Sequence, residues 1–265
     1  MSLGEVSRDP GGVILATSGL TRNFGAFRAV DGVSLDIRKG SVTGLIGPNG
    51  AGKSTYFNIL TGALKPTSGR VMLKGEDVTG LSPDRLFRNG LGRTFQIPRP
   101  FRRMSVLENV MLSPTGQTGE TMAGALFRAA KVRREEEALR QKALGILDFM
   151  TLAPLADHPA GKISGGQMKL LELARVLMGD PEVILLDEPA AGVNPSLTNI
   201  LIERIEELNR RGKTFFIIEH DMDFVMNHCN PVVALAEGKV VFQGSAEEAK
   251  ANPILLDAYL GAAAA

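Results

Sequence analysis

A single cysteine, Cys229, stands among the 265 residues, so no intramolecular disulfide can form. A small hydrophobe is the simplest role for it, and a reducing compartment fits. Net charge is scarce as well, because 30 basic residues against 29 acidic ones leave +1. A nucleic-acid partner usually demands a concentrated basic face, and this balance gives no reason to expect one. Long apolar runs are missing too. The best candidates, "VILLDEP" and "FFIIEHD", are short and end in acids, whereas a membrane span needs ~20 apolar residues. The opening "MSLGEVSRDPGG" lacks the apolar run of a secretory signal. What the chain does have is 44% hydrophobic residues, over a length that suits one large domain or two modest lobes. The expectation is a globular protein, soluble by itself.

Along the chain, residues 1–12 read as a mobile tail closed by Pro10, Gly11 and Gly12. Short strands are expected at "VILATSG" (13–19), "VSLDIRKG" (33–40) and "SVTGLIG" (41–47), with turns at "NFG" and "RKG". "STYFNILTG" predicts a short helix ending at Gly62, and "GRVMLKGED" another strand. Ser82 and Pro83 suit a helix start, and Ser105 with Glu108 forms a capping-box pattern. Residues 113–124, rich in Gly, Thr and Ser, read as a linker. The charged stretch from about 126 to 150 predicts a helix with Leu139, Ala143, Ile146, Leu147 and Met150 on one face and its charges in solvent. Thereafter strand and helix alternate through "EVILLDEP", a helix over 195–211, "KTFFIIE", a helix over 221–228, "PVVALAEGKVVFQG" and a last helix from Ser245. That rhythm predicts an α/β core with a parallel sheet, interrupted by a helical lobe. The division is 13–96 and 181–244 for the core, 97–180 for the lobe and 245–265 for the C-terminal helix.

"GPNGAGKST" fits the P-loop pattern. Its members Gly47, Pro48, Asn49, Gly50, Ala51, Gly52, Lys53, Ser54 and Thr55 are the candidate nucleotide cradle. Glycines let backbone N–H groups wrap phosphates, Lys53 supplies charge near the β- and γ-phosphates, and the Ser54 hydroxyl can ligate Mg²⁺. An apolar strand precedes the loop and a helix follows, so the helix start faces the anion. "VILLDEP" brings Asp187 to a strand's C-terminal edge, where it suits Mg²⁺ through water. Glu188 is next in line to polarise an attacking water as general base. His220 ends the strand within "FFIIEHD" and is read as a γ-phosphate contact, the plainer alternative being a structural histidine. Gln96 ends "GRTFQ" and could reach the metal or the water, or be an ordinary polar strand end.

A second phosphate-suited helix start lies at "ISGGQMKLLELAR". Ser164 can cap it, and Gly165 and Gly166 permit close backbone approach. The order of P-loop, Gln, SGGQ, DE and His resembles the nucleotide-binding subunit of ATP-binding-cassette (ABC) transporters, over essentially the whole chain. The resemblance implies a P-loop NTPase core with a parallel sheet, an N-terminal antiparallel β region and an inserted α-helical lobe, together a single ABC ATPase domain. It implies ATP and Mg²⁺, sandwiched between two head-to-tail protomers. Ser164, Gly165, Gly166 and Gln167 would then meet the nucleotide of the partner, which explains why one chain needs two anion-suited helix starts. It also places Phe24 as the aromatic that stacks on adenine, a position where tyrosine is commoner. Two departures stand out. Ile163 replaces a leucine, and Asn194 replaces an aspartate, removing a negative charge from the expected dimer interface.

Finer features resemble the ATPases of branched-chain amino acid importers: "GLGRTFQIPRPFRRMSVLENV", "LLDEPAAGVNP", "IEHDMDFVM" and "NPILLDAYLG". That resemblance implies a second ATPase subunit, identical or paralogous, two permease subunits and an extracytoplasmic substrate-binding protein. The chain would lie at the cytoplasmic face of the plasma membrane, held through its permeases. Arg99, Pro100, Phe101, Arg102 and Met104 are the candidates to dock a permease helix, directly after Gln96. The alternatives are a lipid or lipopolysaccharide exporter and a soluble ABC ATPase. The last would usually carry long coiled-coil arms or two cassettes, and the charged stretch near 128–142 is too short for such an arm.

Overall fold

The described residues of this computed structural model are 12–94, 96, 98–113, 129–252 and 255. The tail expected over 1–12 lies outside them apart from Gly12, and the linker over 113–124 apart from Ser113. Beyond residue 252 the expected C-terminal helix is also outside them, Leu255 excepted. The chain divides into two compact units, Met1–Pro83 with Leu208–Ala265, and Asp84–Glu207.

The first unit opens with a long hairpin. β1 (Val13–Phe24) pairs antiparallel with β2 (Phe27–Arg38), Leu15 opposite Ile37 and Phe24 opposite Phe27. The apolar pattern suggested shorter strands. The ladder continues past it through Arg22 opposite Val30 and Asn23 opposite Arg28, because main-chain pairing does not require apolar side chains. β4 (Ser68–Leu73) and β5 (Glu76–Asp77) extend this sheet in the order β2-β1-β4-β5.

Behind it runs a buried set of strands. β3 (Val42–Ile46) is parallel to β8 (Thr214–Ile218) and to β9 (Val232–Ala236), while β10 (Lys239–Gly244) returns antiparallel beside β9. Leu45, Ile46, Phe215, Phe216, Ile217, Val232 and Val233 are fully buried, as near-continuous apolar runs allow when a parallel strand is covered on both faces. The first helix, α1 (Lys53–Leu60), lays Tyr56 and Phe57 on Phe216, with ring centroids 6.3 and 4.9 Å apart. The Tyr56 hydroxyl shares a 2.9 Å hydrogen bond with Thr17 Oγ1 and so ties the helix to β1. Burial pushes the Tyr56 phenol far above its usual pKa, so it stays neutral.

In the second unit, α2 (Pro83–Arg88) leads into β6 (Leu91–Arg93), which pairs parallel with the wholly buried β7 (Val183–Asp187). α3 (Val106–Met111) starts with the expected capping box: Glu108 N donates to Ser105 Oγ, and Ser105 N to Glu108 Oε2. α4 (Ala129–Phe149) buries Ala143 and Leu147, with Met150 just beyond, and exposes Arg133, Arg134, Glu136 and Glu137. α5 (Gly165–Met178) begins at Ser164, and α6 (Pro195–Arg210) at Asn194, whose Oδ1 accepts from Leu197 N at 2.9 Å. Two short helices belong to the first unit, α7 (Met222–His228), capped by Asp221, and α8 (Ala246–Ala251), capped by Ser245.

The seat of α1 on the sheet rests on Phe216. Phe216→Ala should lower unfolding free energy by about 3–5 kcal/mol, the usual cost of deleting a buried phenyl, as read from urea titration. A loss below about 1 kcal/mol would mean that this aromatic cluster does not anchor the helix.

Candidate functional site

In the first unit, β3 delivers the chain into Gly47 at its C-terminal end, and α1 opens six residues later at Lys53. Gly52, the N-cap residue of α1, has φ +98, and a Cβ there would collide with the Ala29 carbonyl oxygen. No side chain caps this helix start. Lys53 is 6% exposed, and its ammonium folds back onto the loop, donating to the carbonyls of Gly47 (2.6 Å) and Pro48 (3.0 Å). Pro48, Asn49, Gly50 and Ser54 are exposed, and Ala51 is buried.

His220 and Phe24 belong to the same unit. Leu45 of β3 is in register with Ile218 of β8, so Gly47 and His220 follow two neighbouring parallel strands at the same edge. The exposed His220 donates its main-chain N–H to Glu219 Oε2 at 3.0 Å. Phe24, at the hairpin end, is 47% exposed, and the Arg22 guanidinium lies 4.8 Å from its ring centroid, a cation–π distance. Phe27, opposite it and more exposed still, carried no motif and was not singled out by the sequence.

The second unit gathers Gln96, Asp187, Glu188 and the SGGQ helix start. Asp187 ends β7 and is 7% exposed. Its Oδ2 accepts from Arg93 Nη2 at 2.9 Å, an ion pair between two nearly buried side chains. Glu188 follows with φ +48, and its Oε2 accepts from Gln96 Nε2 at 2.6 Å. Gln96 itself lies beyond β6, which stops at Arg93, so it is a loop residue rather than a strand end.

At the start of α5, Gln167 N donates to Ser164 Oγ (3.3 Å) and Ser164 N to Gln167 Oε1 (2.9 Å), a reciprocal cap. The two glycines differ. Gly165 opens onto empty space, whereas a Cβ on Gly166 would lie 2.5 Å from Leu197 Cδ1 and 3.0 Å from Val193 Cγ1. Gly166 is therefore packed inside its own unit, where an added Cβ would make Leu197 and Val193 shift.

The segment after Gln96 is held from below. Asn109, fully buried, accepts from Phe101 N (2.8 Å) and donates to the carbonyls of Phe101 (3.1 Å) and Ser105 (2.8 Å). Glu172 of α5 accepts from Arg99 N at 3.1 Å, and Arg175 donates to Arg99 O at 3.2 Å. The main chain is thereby pinned while Arg99, Phe101 and Arg102 face solvent, Phe101 being 54% exposed. Pro100 and Met104 of the same segment are half-buried.

Residues 30–191 match the ABC transporter family model. The chain belongs to the ABC transporter family. This cassette is 42% identical over 252 residues, 94% of it and 97% of the relative, to the "Probable branched-chain amino acid transport ATP-binding protein LivG" of Methanocaldococcus jannaschii. It is 39% identical over 251 residues to the high-affinity branched-chain amino acid transport ATP-binding protein BraF of Pseudomonas aeruginosa, with 94% and 98% covered. Among solved structures it resembles a nucleotide-free ATP-binding cassette from an ABC transporter, with TM-score 0.82 and 41% identity over 94% of this chain and 99% of that one. A dimeric cassette in a post-hydrolysis state, bound to ADP and phosphate, gives TM-score 0.73 at 26% identity, covering 88% and 99%.

The fold is accordingly that of an ABC ATPase cassette, with parallel strands, an antiparallel sheet and helices. Among its described residues no helix is long and apolar enough to cross a membrane. The Arg93–Asp187 pair gives a direct test of the site's electrostatics. Arg93→Met should destabilise the cassette by about 3 kcal/mol or more, because it strands a buried carboxylate. Denaturant unfolding would show it, and an unchanged midpoint would mean that solvent reaches Asp187.

Proposed function

We propose that this chain is the ATP-hydrolysing subunit of a membrane importer for branched-chain or related amino acids. Support comes from the P-loop at the end of β3, with Lys53 folded over it, in a chain similar across nearly its full length to branched-chain amino acid transport ATP-binding proteins. In this reading Gly47 to Thr55 cradle the phosphates, Lys53 exchanges loop carbonyls for phosphate oxygens, and Phe24 stacks on adenine. Glu188 takes a proton from water as its oxygen bonds to the γ-phosphorus and the bond to the β–γ bridging oxygen breaks, giving ADP and phosphate. His220 steadies the γ-phosphate, and Gln96 reports on it.

The residues assigned to Mg²⁺ are Ser54, Gln96 and, through water, Asp187. All are oxygen donors of the hard kind that this ion prefers. The chemistry fits what is seen of them: Gln96 spends its NH₂ on Glu188, so Oε1 is the atom it has to offer a cation, and Asp187 is a carboxylate paired with Arg93. Bound there, Mg²⁺ would offset the charge on the β- and γ-phosphates.

Two such subunits, identical or paralogous, would close head to tail on two nucleotides, Ser164 to Gln167 of each meeting the other's ATP. The exposed segment Arg99–Met104 would dock the cytoplasmic helix of a permease, and an extracytoplasmic binding protein would deliver the cargo. The subunit would then sit peripherally at the cytoplasmic face of the membrane. ATP joins the protomers and hydrolysis releases them, which drives the permease between states.

Glu188→Gln should slow turnover by roughly 10²–10⁴-fold while ATP still binds and holds the closed dimer. Normal turnover in steady-state phosphate release would remove Glu188 as the base. Lys53→Ala should weaken ATP binding by about tenfold or more, and unchanged affinity by calorimetry would contradict the P-loop assignment. The transport reading is tested by mild solubilisation of membranes and mass spectrometry of what copurifies with the tagged chain. Two multi-span permeases are expected; recovery from the soluble fraction alone, or with nucleic acid, would overturn transport and leave the ATPase.

A further inference from the structure

Lys169 lies on the second turn of α5, two residues past SGGQ, and its contact is with the site. Its ammonium donates to the main-chain carbonyl of Glu188 at 2.5 Å, an oxygen that also accepts from Ala191 N at 3.2 Å. Glu188 holds φ +48, the left-handed region that a residue with a Cβ keeps only where its surroundings over-determine it. Such strain gathers at working sites, and here its supports can be named. Gln96 grips the carboxylate and Lys169 the carbonyl, so one residue is fixed at both ends. A neutral donor could satisfy that carbonyl, but an ammonium makes the stronger, charge-assisted bond.

A strand that simply continued past Asp187 would keep residue 188 in extended backbone and turn its side chain to the opposite face. The left-handed step redirects it. Rotating the Glu188 backbone back toward the extended region would swing the carbonyl off Lys169 and the carboxylate off Gln96 together. The two contacts therefore hold or fail jointly.

We infer that Lys169 is a positioning residue for Glu188, keeping its main chain in the left-handed conformation that aims the carboxylate. The inference rests on the assignment of Glu188 as general base. Lys169 acts through Glu188 and has no role in binding nucleotide. It also seats the support of the base on the helix that begins at Ser164, so any shift of α5 is passed to Glu188 by one hydrogen bond.

Lys169→Met should lower kcat by about 10- to 100-fold, as small misplacements of a reacting group do. KM for ATP should stay within about twofold, the signature of an effect confined to the transition state. Lys169→Arg, which keeps a cationic donor, should recover most of the rate. In a Glu188→Gln background, adding Lys169→Met should leave ATP-driven dimer capture on size exclusion unchanged. The inference falls if Lys169→Met turns over normally while Glu188→Gln is inactive, or if the loss appears in KM or in dimer capture. It also falls if Lys169→Arg is no better than Lys169→Met. Normal turnover by Glu188→Gln itself would instead remove the base, and this inference with it.

Discussion

Three stretches of main chain meet so closely around the P-loop that only backbone fits between them. Asp31 N donates to Gly238 O at 2.9 Å, and Gly238 N donates to Ala51 O at 3.0 Å, so β2, the β9–β10 turn and the loop are joined in a relay of amides. A Cβ on Gly47 would strike the Leu235 carbonyl, one on Gly52 the Ala29 carbonyl, and one on Gly238 would lie 2.9 Å from Ala29 O. At these three glycines main chain packs directly against main chain, with no room for a side chain. The consequence reaches the hairpin end, because Ala29 sits on the strand that begins at Phe27, opposite Phe24. The aromatic tip and the phosphate loop are thereby built on one backbone scaffold. Asp31 adds an outer clasp. The Arg28 guanidinium, and then Lys239, hold its carboxyl below the usual carboxylate range, so the clasp is charged at neutral pH.

How much of this could be read beforehand depends on the distance over which each feature is decided. Gly47 to Thr55, Asp187 with Glu188 and His220 each sit where an apolar run stops, and a strand ending in polar residues is a local pattern. The parallel core was legible for the same reason, since its strands are unbroken apolar runs. Pairing partners were not. Asp187 finds Arg93 across 94 positions, and Glu188 finds Lys169 across 19, distances that only the folded topology sets. Arg93 did carry a signal. It interrupts "GLGRTF", and a guanidinium inside a strand must be neutralised if that strand is buried. The hairpin's outer half was illegible because Thr21, Arg22 and Asn23 show no alternation, and register shifts on either side of Arg22 break the two-residue period there. Gln96 was placed on a strand because "GRTFQ" looks continuous, yet β6 ends three residues earlier.

Asn194 illustrates how a departure from a family pattern can be structurally silent. Its Oδ1 accepts from Leu197 N, and Thr198 Oγ1 donates to its carbonyl at 3.1 Å, so the residue caps α6 as an aspartate would. The charge is lost and the helix start is kept. What the substitution removes is the charge itself, both from the start of α6 and from whatever approaches this exposed residue.

The two anion-suited helix starts solve one problem in opposite ways. α1 leaves its first turn uncapped by any side chain, and the residue before it must be glycine because of both φ and the Ala29 carbonyl. A helix start of that kind holds its amides ready for a ligand reached through its own loop. α5 has no such loop and would fray without a cap, so Ser164 and Gln167 satisfy one another's main-chain amides. The cap does not exhaust the serine. A hydroxyl has two acceptor lone pairs and one proton, and accepting from Gln167 N uses only a lone pair. The proton is not used by the cap, and Gly165 beside it opens onto empty space. Gly166 meanwhile is filled from behind by Leu197 and Val193, which stiffens the turn that presents them. On the proposed head-to-tail reading, a capped and bare helix start suits a ligand carried by the partner, whereas α1 suits one cradled from within.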